Sequence, residues 1–358
     1  MSLLKKRLFF ALIPPLVSVV GLTVCAALFS ACYTLKQGAA MLGYLSRAIP
    51  LDKLEKQEHT AETQRFTALI RDIRAFATND LGLKDTKNYT RYVHIDRDYL
   101  AAVVSACADD SFAGHRWWFP VVGYVPYKGF FGVDDAKKEA QKLRNKGLDV
   151  WVRGVDAFST LGYFRDPLYS YMRDYSAYQM ADLLIHELFH ATVFIKNHVQ
   201  FNEELAEFVG KHGARLYIES RFGKDAKELR EYDAHQKDSD VYVLYIQKLK
   251  TQLDDVYKSD ISREQKLERK AAVIKAAQET FKTNYSAMFT TDAYKFFEDL
   301  PVNNAYLQLY GLYHDGGEYL EALYTKAGSN LPAVIEAAKK IKQRGEPPQQ
   351  QLEALLAG

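Results

Sequence analysis

The stretch LLIHELFHATVFI, residues 183–195, limits what this chain can fold into more than any other. Its apolar positions, Leu183, Leu184, Ile185, Leu188, Phe189, Val193, Phe194 and Ile195, leave a helix no solvent face, so the helix must be buried. Polar side chains inside such a helix cost several kcal/mol each when they lack partners. His186, Glu187 and His190 therefore need something to bind them, and a metal ion would serve. Residues i and i+4 lie on one face of a helix, so His186 and His190 can turn two imidazoles to one ion. Glu187, about 100° further round, can reach a water on that ion but not easily the ion itself. This is the H-E-x-x-H spacing that zinc hydrolases use.

A catalytic zinc takes three protein ligands and keeps a fourth position open. FNEELAEFVG, residues 201–210, supplies the third. Asn202 and Glu203 open a second helix. Ala206 and Gly210 give it a smooth face that allows close approach to the first, and Glu203 then delivers a carboxylate. The expected cofactor is one Zn2+, held by His186, His190 and Glu203. H-E-x-x-H followed by N-E-x-x-A resembles the gluzincin metallopeptidases. The resemblance implies a supporting role for Asn202 and Glu207 around the ligands, with Glu207 at the position whose acid orients the first histidine. A metal-bound histidine usually donates its other N–H to a carboxylate or carbonyl. An exposed helix acid is the alternative reading of Glu207.

Around this motif the chain reads as an α+β protein, mostly helical. A small sheet precedes a zincin-like helix pair, and a helical hairpin and further helices follow. Residues 51–82 read as helix, with Leu69, Ile70, Ile73 and Phe76 at helical spacing. WWFPVVGYVPYKGFFG (117–132) is aromatic, β-branched and punctuated by Pro and Gly. Residues 134–147 carry acids first, bases near the end and a terminal Gly, the order a short helix favours. DVWVRGV (149–155) reads as a strand. The aromatic residues Trp117, Trp118, Tyr124 and Tyr127 are expected mostly in the core. GVDAFSTLGYFRDPL (154–168) is extended or looping, and an edge for an extended substrate is one reading of it. Ser176 to Gln179 and Ser262 to Gln265 have capping-box form. Tyr242, Ile246, Leu249, Leu253 and Val256 form one apolar stripe, and Leu267, Ala271, Ile274 and Phe281 the returning one. Together they predict a hairpin over about 242–281. Residues 303–341 read as helical, with EPPQQQ closing the fold.

Residues 1–31 belong to a different regime. A short basic start, MSLLKKR, is followed by an uncharged apolar run that ends LFSAC. This is the form of a signal peptide or membrane anchor, and it resembles a bacterial lipobox with Cys32 as the lipidated new N-terminus. The mature chain from residue 32 onward then reads as a single domain. Only Cys25, Cys32 and Cys107 are present, so lipidation of Cys32 leaves no intrachain disulfide. Net charge is +2, with bases and acids interspersed, which argues against a nucleic-acid partner.

CYTLKQGAAMLGYLSRAIP, WWFPVVGYVPYKGFF, KGLDVWVRGVDAFSTLGYFRDP, the metal-motif region and NNAYLQLYGLYHD together resemble the bacterial predicted aminopeptidase family. The resemblance implies a zinc metallopeptidase acting on peptides or proteins, with Glu187 as general base and a lipoprotein-type N-terminus. Its location would be the bacterial cell envelope, membrane-anchored through Cys32 and facing the periplasm or the surface. The oxyanion-holding group that gluzincins use is sought among Tyr310, Tyr313 and His314, with Tyr313 and His314 the primary candidates and Tyr163 next. Glu204 and Asp166 are conceivable anchors for a substrate's free amine. His198 and His212 lack ligand spacing and read as solvated. Two other readings stand beside this one: a zinc endopeptidase, or a scaffolding lipoprotein that kept the metal but not the activity.

Overall fold

A computed structural model describes residue 33 and residues 35–119, 123–155, 165–310 and 317–357. The chain is α+β and mostly helical, with small sheets. Helix α1 (35–47) leads into strand β1 (Ile49–Pro50), helix α2 (Leu51–Glu58) and helix α3 (Ala61–Asn79). The periodicity over 51–82 predicts one continuous helix, but the structure breaks it at His59, whose φ of 41° is left-handed. Thr60 restarts it by accepting a hydrogen bond from the Thr63 N–H. A threonine cap satisfies one of the orphan donors of the new helix, so two polar residues end one element and open the next. Helix α3 buries Phe66, Ile70, Ile73 and Phe76.

Strand β2 (Arg91–Val93) pairs antiparallel with β1. The central strand of the second sheet is β3 (Ala101–Ala108), which sequence patterning does not single out. AAVVSACA is a continuous small apolar run, and such a run carries no period that separates a buried strand from a helix segment. Strands β4 (Trp117–Phe119) and β5 (Gly123–Val125) form a separate hairpin. Strand β6 (Tyr127–Phe130), helix α4 (Val133–Arg144) and strand β7 (Leu148–Val155) follow. Both β6 and β7 flank β3 antiparallel, so the strands of the expected strand–helix–strand unit never touch. Of the four aromatics placed in the core by sequence, Trp117 is buried, whereas Trp118, Tyr124 and Tyr127 are exposed. Strand β8 (Leu168–Tyr169) returns to pair parallel with β2.

Helix α5 (Ala177–Thr192) carries H-E-x-x-H, and helix α6 (Val199–Phe222) carries Glu203. The hairpin is longer than its apolar stripes suggest, with α7 spanning Lys227–Lys258 and α8 Arg263–Met288. Ser262 caps α8 in the expected capping box with Gln265. Helices α9 (Asn304–Leu309), α10 (Gly317–Lys326) and α11 (Leu331–Lys339) follow. EPPQQQ does not merely close the fold. Pro348 opens a last helix, α12 (Pro348–Ala357), as a residue with no N–H and a helical φ can.

The main core gathers α3, α5, α6 and the C-terminal helices. The hairpin and α9 form a second core, and β3, β6, β7 and α4 a third. Among the described residues no helix is long and apolar enough to cross a membrane.

Candidate metal centre

Helix α5 starts at Ser176, whose hydroxyl accepts from the Gln179 N–H at 3.4 Å while Gln179 Oε1 accepts from the Ser176 N–H at 3.0 Å. The helix then runs inside the main core, with Leu184, Ile185 and Phe189 fully buried. Helix α6 lies against it at a separation that only glycine permits. A Cβ on Gly210 would stand 2.6 Å from Asp182 Oδ1 and 3.1 Å from the Asp182 carbonyl oxygen, and one on Gly213 would stand 2.9 Å from Ile185 Cγ2.

The connection between the two helices is held from both sides. Asn202 Oδ1 accepts from the Ile195 N–H and Asn202 Nδ2 donates to the Ile195 carbonyl, both at 2.8 Å. Gln343, beyond α11, donates to the Phe194 carbonyl and accepts from the Lys196 N–H. Asn202 thus supports the centre through the backbone rather than through a ligand side chain: it sets where α6 begins, and hence where Glu203 stands.

The outcome is a cluster in which one ligand atom each of His186, His190 and Glu203 lies within 4.8 Å of the others. His186 Nε2 and His190 Nε2 are 3.1 Å apart, and Glu203 oxygens lie 3.7 and 3.5 Å from them. Two ligands about 2.0–2.1 Å from a tetrahedral zinc stand roughly 3.4 Å apart, so this donor set could hold such an ion. Burial pushes the Glu203 carboxyl up, but hydrogen bonds to His186 and His190 outweigh it and hold the group at about 2. Burial lowers His186, and the surrounding carboxylates, Glu203 first, more than reverse that.

Glu187 is buried at the edge of the cluster, with Oε2 lacking any hydrogen-bond partner. Burial raises its pKa above the usual carboxylate range, against the opposing pull of the two histidines. His190 Nδ1 is likewise buried and unpartnered.

Glu207 is expected either to orient the first histidine or to stand as a helix acid. It pairs with Lys211 at 2.7 Å, one turn along α6. Asp182, one turn earlier on α5 and missed by sequence reasoning, acts electrostatically on His186. Burial pushes its carboxyl up to about 6, against the opposing pull of His186. The available signal was an acid at i−4 from the first histidine in an otherwise apolar run. Tyr89 was also missed. It is buried, carries a left-handed φ of 57° and holds its hydroxyl without a partner. Burial raises its phenol far above the usual range, helped by the charges of Glu187 and Asp166. No local pattern marks Tyr89. From the sheet, Tyr127, about half exposed as a residue but covered around its phenol, is raised first by that burial and then by the Glu203 charge, with Arg153 opposing.

Of the other candidates, Asp166 is buried and receives the Tyr89 N–H at its carbonyl. Glu204 accepts from Gln200. Tyr310 is hydrogen-bonded by Tyr306 at 3.2 Å. His198 is exposed, whereas His212 pairs with Glu321 of α10 at 2.8 Å. Tyr163, Tyr313, His314, Cys32 and most of the 154–168 stretch lie outside the described residues.

Fold and site together define a mostly helical α+β protein with a His–His–carboxylate cluster on two adjacent helices. The chain belongs to a family described as "Putative aminopeptidase", whose model matches residues 32–355. No curated protein and no solved structure matches it.

Proposed function

We propose that this protein is a zinc-dependent metallopeptidase, aminopeptidase-like, acting outside the cytoplasm. The observation that carries the reading is the convergence of His186, His190 and Glu203 beside a buried Glu187 whose Oε2 has no partner. The three converging side chains would hold the ion. When bound, zinc supplies a Lewis acid that polarises the scissile carbonyl and makes water acidic near neutral pH. Glu187 takes the proton of the attacking water at its carboxylate and returns it to the leaving amine nitrogen. Glu187 can do this because the helix holds it beside the ligand face but off it. Asn202 keeps the loop and Glu203 in place. Tyr127, on which the charges of Glu203 and Arg153 act, is one described group that could meet substrate oxygen.

Attachment to the envelope membrane through a lipidated Cys32 belongs to the same proposal. The basic, apolar and small-residue order of residues 1–32 supports it, and the family match starts at residue 32.

The test uses the full-length chain with metal analysis and a peptide library, each peptide offered with a free and an acetylated N-terminus. Wild type and Glu187→Gln should carry equal zinc. Cleavage should fall by about 10²–10⁴ in the variant, and acetylation should abolish it in wild type. A zinc-loaded wild type that cleaves nothing, or a variant that matches it, sinks the enzymatic reading. Cleavage that survives acetylation makes the protein an endopeptidase.

A further inference from the structure

We propose that the cavity between α2, α3 and the turn before β2 binds a small phosphate-bearing anion. The inference is independent of the peptidase reading. The cavity measures about 620 Å³, and Arg71, Arg74, Arg91 and Arg165 all line it, with Asp52 the single acid among the described residues of its wall.

The charges in this wall do not balance. Asp52 and Glu55 each contact Arg71 at 2.6 Å, and that guanidinium holds the exposed Glu55 carboxyl down at about 2. Arg71 is thereby neutralised. Arg74 donates to the Thr86 carbonyl at 2.5 Å and meets only one acid, the largely exposed Asp85, at 3.4 Å, while its Nε is buried without a partner. Arg91 donates to the Ala48 carbonyl, a contact that offsets no charge. Arg165 pairs with no acid among the described residues. Arg74, Arg91 and Arg165 thus line one cavity, and among the described residues their one acid contact is that of Arg74 with Asp85, which lies outside the lining. The Arg74 Nε in this wall is the buried polar atom left without a partner. Buried polar atoms are nearly always satisfied, and exceptions often mark a missing ion or ligand.

The chemistry of the wall selects the anion. Every cation among its described lining residues is arginine, although lysines outnumber arginines in the chain and the net charge is only +2. The surplus is therefore local. Planar guanidinium forks match pairs of oxygens on one centre, where lysine offers a point charge. A phosphate dianion offers three terminal oxygens and two charges to three forks, while a carboxylate offers two oxygens and one charge. The volume falls in the range of small-molecule sites and exceeds what a bare phosphate needs. Pro50, Leu51 and Ile70 add an apolar wall for an organic substituent.

Isothermal titration of the full-length chain in nonionic detergent tests this, at an ionic strength fixed with chloride. The probes are inorganic phosphate, phenyl phosphate and succinate. Both phosphates should bind saturably at one site, phenyl phosphate more tightly. Arg165→Gln should weaken binding about tenfold. Asp52→Asn, which removes the cavity's acid and frees Arg71, should tighten it. Both side chains are exposed, so folding should survive, with circular dichroism melts as the check. No saturable phosphate binding, affinities that ignore both substitutions, or succinate binding more tightly than phosphate would each overturn the proposal.

Discussion

Two helix pairs in this protein bury polar groups, and they treat them in opposite ways. In the hairpin, Asp238 is fully buried and accepts from the Thr290 N–H at 2.8 Å and from both the N–H and the hydroxyl of Thr291 at 2.7 Å. Lys270 of α8 reaches Asp149 and the Asp109 carbonyl, and Tyr257 donates to Asn304. Among the described residues no buried side-chain atom of the hairpin is left unpartnered. In the α5–α6 pair, Glu187 Oε2 and His190 Nδ1 are buried and open. The hairpin repays desolvation with its own groups, so its polar residues hold the fold. The α5–α6 pair leaves Glu187 Oε2, beside the ligand cluster, without such repayment, as a binding centre can and a structural network does not.

The contrast fails if the two pairs respond alike to substitution. The largest expected effect is that of Glu187→Gln, with activity down by about 10²–10⁴ and unfolding free energy within about 1 kcal/mol of wild type, read from cleavage rates and urea melts on one sample. Next comes metal removal. A ligand present at a thousand times its Kd stabilises the folded state by about 4 kcal/mol. Chelation should lower the unfolding free energy by that order in wild type and have no effect in His190→Ala. Asp238→Ala should cost about 3 kcal/mol, because it strands buried donors, yet leave zinc affinity unchanged in a chelator competition. Loss of zinc affinity there would erase the distinction. Asp182→Asn should show the reverse pattern: zinc affinity down about tenfold with little change in melting, while Glu207→Gln changes neither.

The smallest effect is one of pH. Burial pushes Asp238 up, but its hydrogen bonds from Thr290 and Thr291 prevail and hold it below the ordinary aspartate value. A depressed folded-state pKa gives stability that is present above the unfolded value near 4 and lost as pH falls through the folded one. Urea melts at pH 6 and pH 3 should show a larger acid loss in wild type than in Asp238→Asn. An equal loss would mean that the carboxylate is not what these hydrogen bonds hold.

Much of the site can be read in the chain because its parts are local. His186, Glu187 and His190 share one helix, and the i, i+4 rule sets their relation before any fold exists. Glu203 follows one turn into the next helix, and Gly210 marks where that helix must come close. Ser176 and Ser262 announce their helices by capping chemistry. The readings that differ from the structure are those in which distant segments decide. Strand β3 is apolar on both faces and carries no period. Trp118, Tyr124 and Tyr127 look like core but stand exposed on their strands among the described residues.

The sequence by itself determined that two histidines and an acid share a buried helix and that a second acid follows on a helix able to approach it. Spacing and burial demand of any fold that those groups find a partner. Only the tertiary structure decided that Tyr89 is sealed near Glu187. It alone gathered four arginines from three separate segments around one cavity. Such placements depend on which helix faces touch across long loops, and no pairwise spacing along the chain encodes that choice.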